Sequence, residues 1–190
     1  MKIFTMPLGA YEANCYIVVN ENTKQAVVID PGAEPDKLKN FLAKNNLSVA
    51  AIFITHGHHD HIGALAALHA ATKAPIYVHE ADASRLGMSA DVLLKGGEII
   101  EVAGMKFKTI STPGHTQGGC CFMIQDHVFV GDSIFCETIG RTDLPGGSYK
   151  QLISALKTKI LTLPETTKLY PGHGPATDVA WERRMNPFLQ

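Results

Sequence analysis

Short apolar runs rich in Val, Ile and aromatic residues recur at 2–5, 15–20, 26–30 and 51–55, and each reads as a strand. The first three predict an antiparallel meander. Two stretches then change period: residues 34–45 place Leu38, Phe41 and Leu42 at helical spacing, and 62–73 is an alanine-rich segment carrying Leu65 and Leu68. Further strands are predicted at 76–79, 99–102, 106–110, 120–124 and 128–131, broken by turn signals such as Lys95-Gly96-Gly97 and Ala103-Gly104. A helix over 149–161, a strand at 168–170 and a helix around 179–184 complete the pattern. Strands interleaved with helices, several of them joined by short turns, predict an α/β sandwich with mixed sheets inside and helices outside. No repeat or linker divides the chain, so residues 1–190 are expected to form a single domain.

Composition narrows the function. The 190 residues carry 17 Lys and Arg against 18 Asp and Glu, a formal net charge of -1, which leaves no basic face for a phosphate backbone. Nucleic acid is therefore not an expected partner; a small molecule is. Residues 1–16 lack the apolar stretch of a signal peptide, and no window approaches the roughly 18 apolar residues of a membrane span, so a cytoplasmic protein is expected. Cys15, Cys120, Cys121 and Cys136 form no C-x-x-C pair and are expected to be reduced and mostly buried.

The nine histidines carry the chemistry. Thr55-His56-Gly57-His58-His59-Asp60-His61 lies between an apolar strand and a helix, a common place for a site. Alternation along extended chain aims His56, His58 and Asp60 to one side, and His61 at the helix start turns toward the same cleft. The same arrangement recurs: strand-like runs end in Thr112-Pro113-Gly114-His115, in Gly131-Asp132 and in Pro171-Gly172-His173-Gly174. Seven candidate ligands result, too many for one ion, because a catalytic zinc keeps about three protein ligands and leaves a position for water. Three ligands on each of two ions plus one bridging carboxylate accounts for all seven. His56, His58 and His115 are assigned to one ion, Asp60, His61 and His173 to the other, and Asp132 to both, with the ions ~3.5–4 Å apart. Zinc, iron and manganese all accept such imidazole and carboxylate donors, zinc being the first expectation. His59, His69, His79 and His127 gain nothing from this argument.

His56-x-His58-x-Asp60-His61 with later His115, Asp132 and His173 resembles the metallo-β-lactamase superfamily, over residues 55–174. The resemblance implies a four-layer αβ/βα sandwich with a dinuclear centre at the edge of its two sheets. Thr-Pro-Gly-His-Thr at 112–116, Gly-Asp-Ser at 131–133 and Gly-Arg-Thr-Asp at 140–143 look most like glyoxalase II, the hydroxyacylglutathione hydrolases, whose substrates are glutathione thioesters. Two departures stand out. Most of the C-terminal helical domain of those enzymes has no counterpart in the sixteen residues after Gly174, so a compact form is expected. Gly172-His173-Gly174-Pro175 replaces their Gly-His-Glu-Tyr, and Asp143 stands where a second glutathione-contacting tyrosine is usual, leaving Arg141 as the matching basic contact.

The activity so implied is hydrolysis of S-lactoylglutathione to the hydroxy acid and glutathione by a hydroxide generated between two ions. Asp60 would orient that nucleophile, Asp132 would hold the ions, and Arg141 would anchor a substrate carboxylate. A β-lactamase is disfavoured, since the common zinc class has cysteine where Asp132 stands. The main rival is a persulfide dioxygenase using one iron on His56, His115 and Asp132, a facial triad with open positions for oxygen. A lactonase or esterase, and a metal-binding module without catalysis, are the remaining alternatives.

Overall fold

The computed structural model describes all residues, Met1–Gln190. Six strands form a first sheet in chain order: β1 (Lys2–Leu8), β2 (Ala13–Val19), β3 (Gln25–Ile29), β4 (Ser48–Ile54), β5 (Ile76–His79) and β6 (Val92–Leu94). The expected meander is present, with β1, β2 and β3 antiparallel, after which β3 through β6 run parallel. Parallel neighbours need crossovers. Helix α1 (Pro35–Lys44) makes the first, and α2 (His59–Ile62) with α3 (Leu65–Thr72) makes the second.

The second sheet contains β7 (Ile99–Val102), β8 (Met105–Ser111), β9 (Cys120–Ile124) and β10 (His127–Gly131), each antiparallel to the next. A two-strand hairpin, β11 (Ile134–Phe135) and β12 (Thr138–Ile139), leads through α4 (Tyr149–Ala155) to β13 (Lys168–Pro171), which pairs parallel with β10. The short β14 (Thr177–Asp178) closes that edge, and α5 (Val179–Met185) follows.

Period-2 alternation explains the layering. Val27 and Ile29 point between the sheets to meet Phe53, Phe107, Phe122 and Phe129, whereas Ala26 and Val28 point outward beneath Leu38, Leu42, Leu65 and Leu68. In the second sheet Phe129 faces inward, while Val128 and Val130 pack under Leu152, Leu156 and Ile160. The central strands are buried on both faces, so they read as continuous apolar runs rather than as polar-apolar alternation. Phe53 stacks on Phe122 at 4.6 Å and meets Phe107 edge-on at 5.1 Å. Truncating such a ring to alanine costs about 3–5 kcal/mol. The result is the expected αβ/βα sandwich. All four cysteines are free, and Cys15, Cys120 and Cys121 are buried.

Two predicted helices are corrected. The segment 62–73 is not one helix: the Ala64 N–H donates to Pro31 O at 2.9 Å, so the turn at His59–Ile62 separates from α3. Its effect is to pin Asp60 and His61 on a short turn against the end of β3. The helix expected over 149–161 is α-helical only to Ala155 and continues as a wider turn over Leu156–Ile160. The tight helical segment Glu80–Leu86, strands β6 and β14 and the β11–β12 hairpin are absent from the sequence pattern, which shows no period over such short or irregular stretches. No helix is long and apolar enough to cross a membrane.

Candidate metal centre

Strand direction gathers the site. Because β8, β9 and β10 alternate, β8 and β10 run the same way, and β13 runs with them. Their C-terminal ends therefore lie at one edge, and just beyond them sit His115, Asp132 and His173. The ends of β3 and β4 reach the same edge from the first sheet, bringing Asp30 and the segment 55–61. Backbone bonds tie the sheets there: Cys120 N–H donates to Thr55 O at 2.9 Å and Asn14 N–H to Gly172 O at 2.7 Å.

All seven expected donors meet at this edge. His56, His58 and His115 offer ring nitrogens, and Asp60, His61 and His173 offer a carboxylate oxygen and two ring nitrogens, each triad lying within 4.8 Å. Asp132 stands between them. Its Oδ2 is 4.0 Å from His56 Nε2, 3.5 Å from His115 Nε2 and 3.7 Å from His173 Nε2, and its Oδ1 is 3.3 Å from His61 Nε2. A methyl group on Gly172 would collide with Asp132 Oδ1 and His61, so only glycine admits this approach. One expected detail is corrected: Asp60 does not project by strand alternation with His56 and His58, but from the α2 turn beside His61.

The outer faces of the imidazoles fix their tautomers. His61 Nδ1–H donates to Asp30 at 2.9 Å, His115 Nδ1–H to Arg141 O at 2.8 Å, and His173 Nδ1–H to Tyr11 O at 3.0 Å. Thr55 donates both its N–H and its hydroxyl to Asp30 and accepts from His56 Nδ1–H at 3.1 Å. Each of these rings therefore aims its Nε2 inward, the orientation of metal-ligating histidines. His58 is the exception, presenting Nδ1 at 2.9 Å from His115 Nε2.

These donors fit a metal. His56 Nε2, His61 Nε2 and Asp132 Oδ1 are fully buried without a hydrogen-bond partner, a costly arrangement for polar atoms unless a cation satisfies them. Burial and the neighbouring rings push His56 and His58 below the usual histidine range, keeping them neutral as ligands must be. Burial lowers His61 too, but Asp132 and Asp30 outweigh it and hold the ring well above that range. A hydrogen bond to Asp60 raises His173 and brings the Asp60 carboxyl down to about 2. Asp132 stays ionised despite its burial, held low by His61 and its other histidine neighbours.

Of the remaining histidines, His69 bonds Ala74 O, His79 caps Ala81 and His127 bonds Tyr170, while His59, on the α2 turn beside Asp60, is exposed. Arg141 reaches the rim, but its guanidinium is 61% exposed and makes a double contact with Asp143, both bonds 2.8 Å. Sequence reasoning missed Asp30, although Ile29-Asp30-Pro31-Gly32 repeats the strand, ligand-type residue, Pro-Gly signal seen at the other ends. Asp30 also lies within reach of His56 and His61 in a third cluster of donors, but its oxygens are committed to Thr55 and His61.

Residues 8–173 match the model of the metallo-β-lactamase superfamily. The chain belongs to this superfamily. Its relatives include a probable metallo-hydrolase, YqgX, of Bacillus subtilis (37% identical, over 100% of this chain and 98% of that protein) and the hydroxyacylglutathione hydrolase GloC of Haemophilus influenzae (34%, over 100% and 98%). Among solved structures, the BLEG-1 B3 metallo-β-lactamase superposes with a TM-score of 0.95 at 34% identity, covering all of both chains. ETHE1 from Myxococcus xanthus gives 0.92 at 34%, covering 98% of this chain and 84% of that one. TTHA1623 in a di-iron-bound form gives 0.86 at 37%, over 98% and 100%. Superfamily membership places the chain among the metal-dependent hydrolases in class, and the His clusters are the groups that could hold a divalent ion.

Proposed function

We propose that this superfamily member is a thioester hydrolase of the glyoxalase II type, cleaving S-lactoylglutathione or a related hydroxyacyl thioester to the hydroxy acid and thiol. The observation that carries this is the complete second donor set, Asp60, His61 and His173, assembled beside Asp132 and the three other histidines. End-to-end kinship with GloC, a hydroxyacylglutathione hydrolase of matching extent, supports the substrate class. His56, His58 and His115 would hold one divalent ion and Asp60, His61 and His173 the second, with Asp132 touching both. Zinc is the first candidate, and iron or manganese suit the same donors; the di-iron form of TTHA1623 supports the count of two.

Bound divalent ions supply a water of pKa near ~7 and a Lewis acid for the carbonyl oxygen. The protein supplies the geometry. Asp60, ionised and one-quarter exposed, accepts a hydrogen bond from the attacking water and sets its direction. Asp132, 10% exposed and surrounded by four imidazoles, holds the two donor sets at fixed separation. No side-chain nucleophile is required: a water O–H bond breaks as its oxygen bonds to the carbonyl carbon, the carbon–sulfur bond breaks, and the departing thiolate takes up the proton to leave as the thiol. Arg141 anchors a substrate carboxylate at the rim in competition with its Asp143 partner, so its contribution is small.

The second reading is a persulfide dioxygenase with one iron on His56, His115 and Asp132, favoured by the ETHE1 likeness and by the approach of both rings to Asp132 Oδ2. Elemental analysis of protein purified without oxygen, followed by lactoylglutathione hydrolysis on the same sample, separates the two. About two ions per chain with thioester turnover supports the hydrolase. About one iron, with oxygen consumed on adding glutathione persulfide, replaces it with the dioxygenase.

A further inference from the structure

Asp82 is fully buried, sits on the tight helical segment Glu80–Leu86, and touches no metal donor. A carboxylate in such a place is expensive unless every oxygen is satisfied. Its partners are specific. Oδ2 accepts the Gly57 N–H at 2.9 Å, and Oδ1 accepts the Gly118 N–H at 2.9 Å, both bonds buried. Gly57 lies between His56 and His58, and Gly118 follows His115 by three residues. One carboxylate thus joins the two loops that carry the first donor set.

The packing around it is equally close. A Cβ on Gly118 would lie 2.7 Å from Asp82 Cβ, Cγ and N, and one on Gly57 would lie 2.5 Å from Arg85 Cβ. Neither position has room for a side chain, and neither loop can rotate its amide away from Asp82 without losing a charge-assisted bond. Arg85 supplies the counter-charge, its Nε 3.7 Å from Asp82 Oδ1, and donates from Nη2 to Pro145 O at 2.9 Å.

We infer that Asp82 is a positioning residue for the first metal half-site, setting the separation of His56 and His58 from His115 through the backbone of Gly57 and Gly118. This rests on the assignment of those three histidines as ligands, and not on the identity of the substrate. Asparagine at 82 would keep one acceptor and turn an NH2 toward the other loop's N–H, so one loop is released while the shape is kept. Loss of an outer partner of this kind typically weakens metal binding about 10–100-fold.

The test is titration of the chelator-stripped full-length chain with cobalt(II) alone, read by its visible bands against a competing chelator, with thermal melting of the stripped protein alongside. Wild type is expected to bind two ions. Asp82→Asn should lose about 10–100-fold in affinity for one of them, with altered bands for that ion, while the other binds as in wild type. The affected ion should be the one lost in His58→Ala. Gly118→Ala disturbs the same bond from the loop side and should give the same selective loss, serving if Asp82→Asn does not fold. Glu98→Gln is the matched control, since Glu98 also accepts two backbone amides, Lys95 and Gly96, away from the ligands; it should lower the melting temperature and leave both ions unchanged. Wild-type affinity and bands in Asp82→Asn, or parallel weakening of both ions, overturns the inference. Wild type that binds no ion instead sinks the ligand assignment beneath it.

Discussion

The inner wall of the site and its rim are built on different terms. On the wall, His56, His61 and Asp132 are almost wholly enclosed, and each ring's outward nitrogen is spent on a named acceptor. At the rim, Arg141 and Asp143 stand largely in solvent and satisfy each other. Enclosure makes polar contacts strong and their loss costly, whereas exposed ion pairs contribute at most about 1 kcal/mol. The wall therefore fixes the positions of the donor atoms, whereas the rim side chains restrain little beyond each other.

That contrast can be broken most directly at its centre. Asp132→Ala should remove metal as well as turnover, a larger loss than the roughly 10–100-fold cost of an outer partner, since both donor sets face this carboxylate. Elemental analysis decides it, and a variant that kept full metal content would show that Asp132 does not bridge. Next in size is Gly172→Ala, whose methyl would intrude on Asp132 and His61. Overpacking there should cost roughly 1–3 kcal/mol of stability and displace metal even in protein that stays folded. Retained metal content and melting temperature would mean the turn can yield.

Asp30→Asn reaches the same wall from behind. It weakens the acceptor for His61 Nδ1–H and for Thr55, so metal affinity should fall about 10–100-fold, as read by chelator competition. Unchanged affinity would show that packing alone orients the ring.

The wall also predicts a pH signature. In chelator-stripped protein His61 and His173 hold protons more tightly than ordinary histidine, whereas His56 and His58 are already neutral and Asp60 and Asp132 already ionised. Metal must displace the protons on the first pair, so affinity should rise with pH through the ordinary histidine range and flatten only above the raised values. Calorimetry near neutrality in buffers of different ionisation heat should show proton release on loading; the absence of release would contradict these charge states. The smallest effect belongs to the rim. Arg141→Ala should raise KM by no more than about fivefold and leave kcat and metal content unchanged. A fall in metal content there would place the rim among the structural supports of the wall.

Much of this was legible in the chain itself. Strand runs followed by Thr-His-Gly-His, Pro-Gly-His, Gly-Asp or Pro-Gly-His mark the ends of β4, β8, β10 and β13, and the number of donors is what raised the expectation of two ions. Asp30 carries the same mark after β3 but looks like a simple turn until His61 is placed against it. Asp82 carries none: its partners Gly57 and Gly118 lie 25 and 36 residues away, and nothing local to Glu80–Leu86 announces them. The break between Ile62 and Leu65 was hidden for a similar reason, because alanine-rich sequence favours helix until Pro31 O takes the Ala64 amide.

Local sequence specifies the elements, the ligand types and their placement just beyond strands, because these follow from periodicity and turn chemistry over a few residues. Folding in three dimensions selects which strand ends share an edge, makes Asp60 and His61 leave from one helical turn, spends Arg141 on Asp143, and sets Asp30 and Asp82 behind the ligands. Those outcomes depend on strand order and on hydrogen bonds between residues distant in the chain, where the cost of an unsatisfied buried group selects the partner and no short-range pattern records the choice.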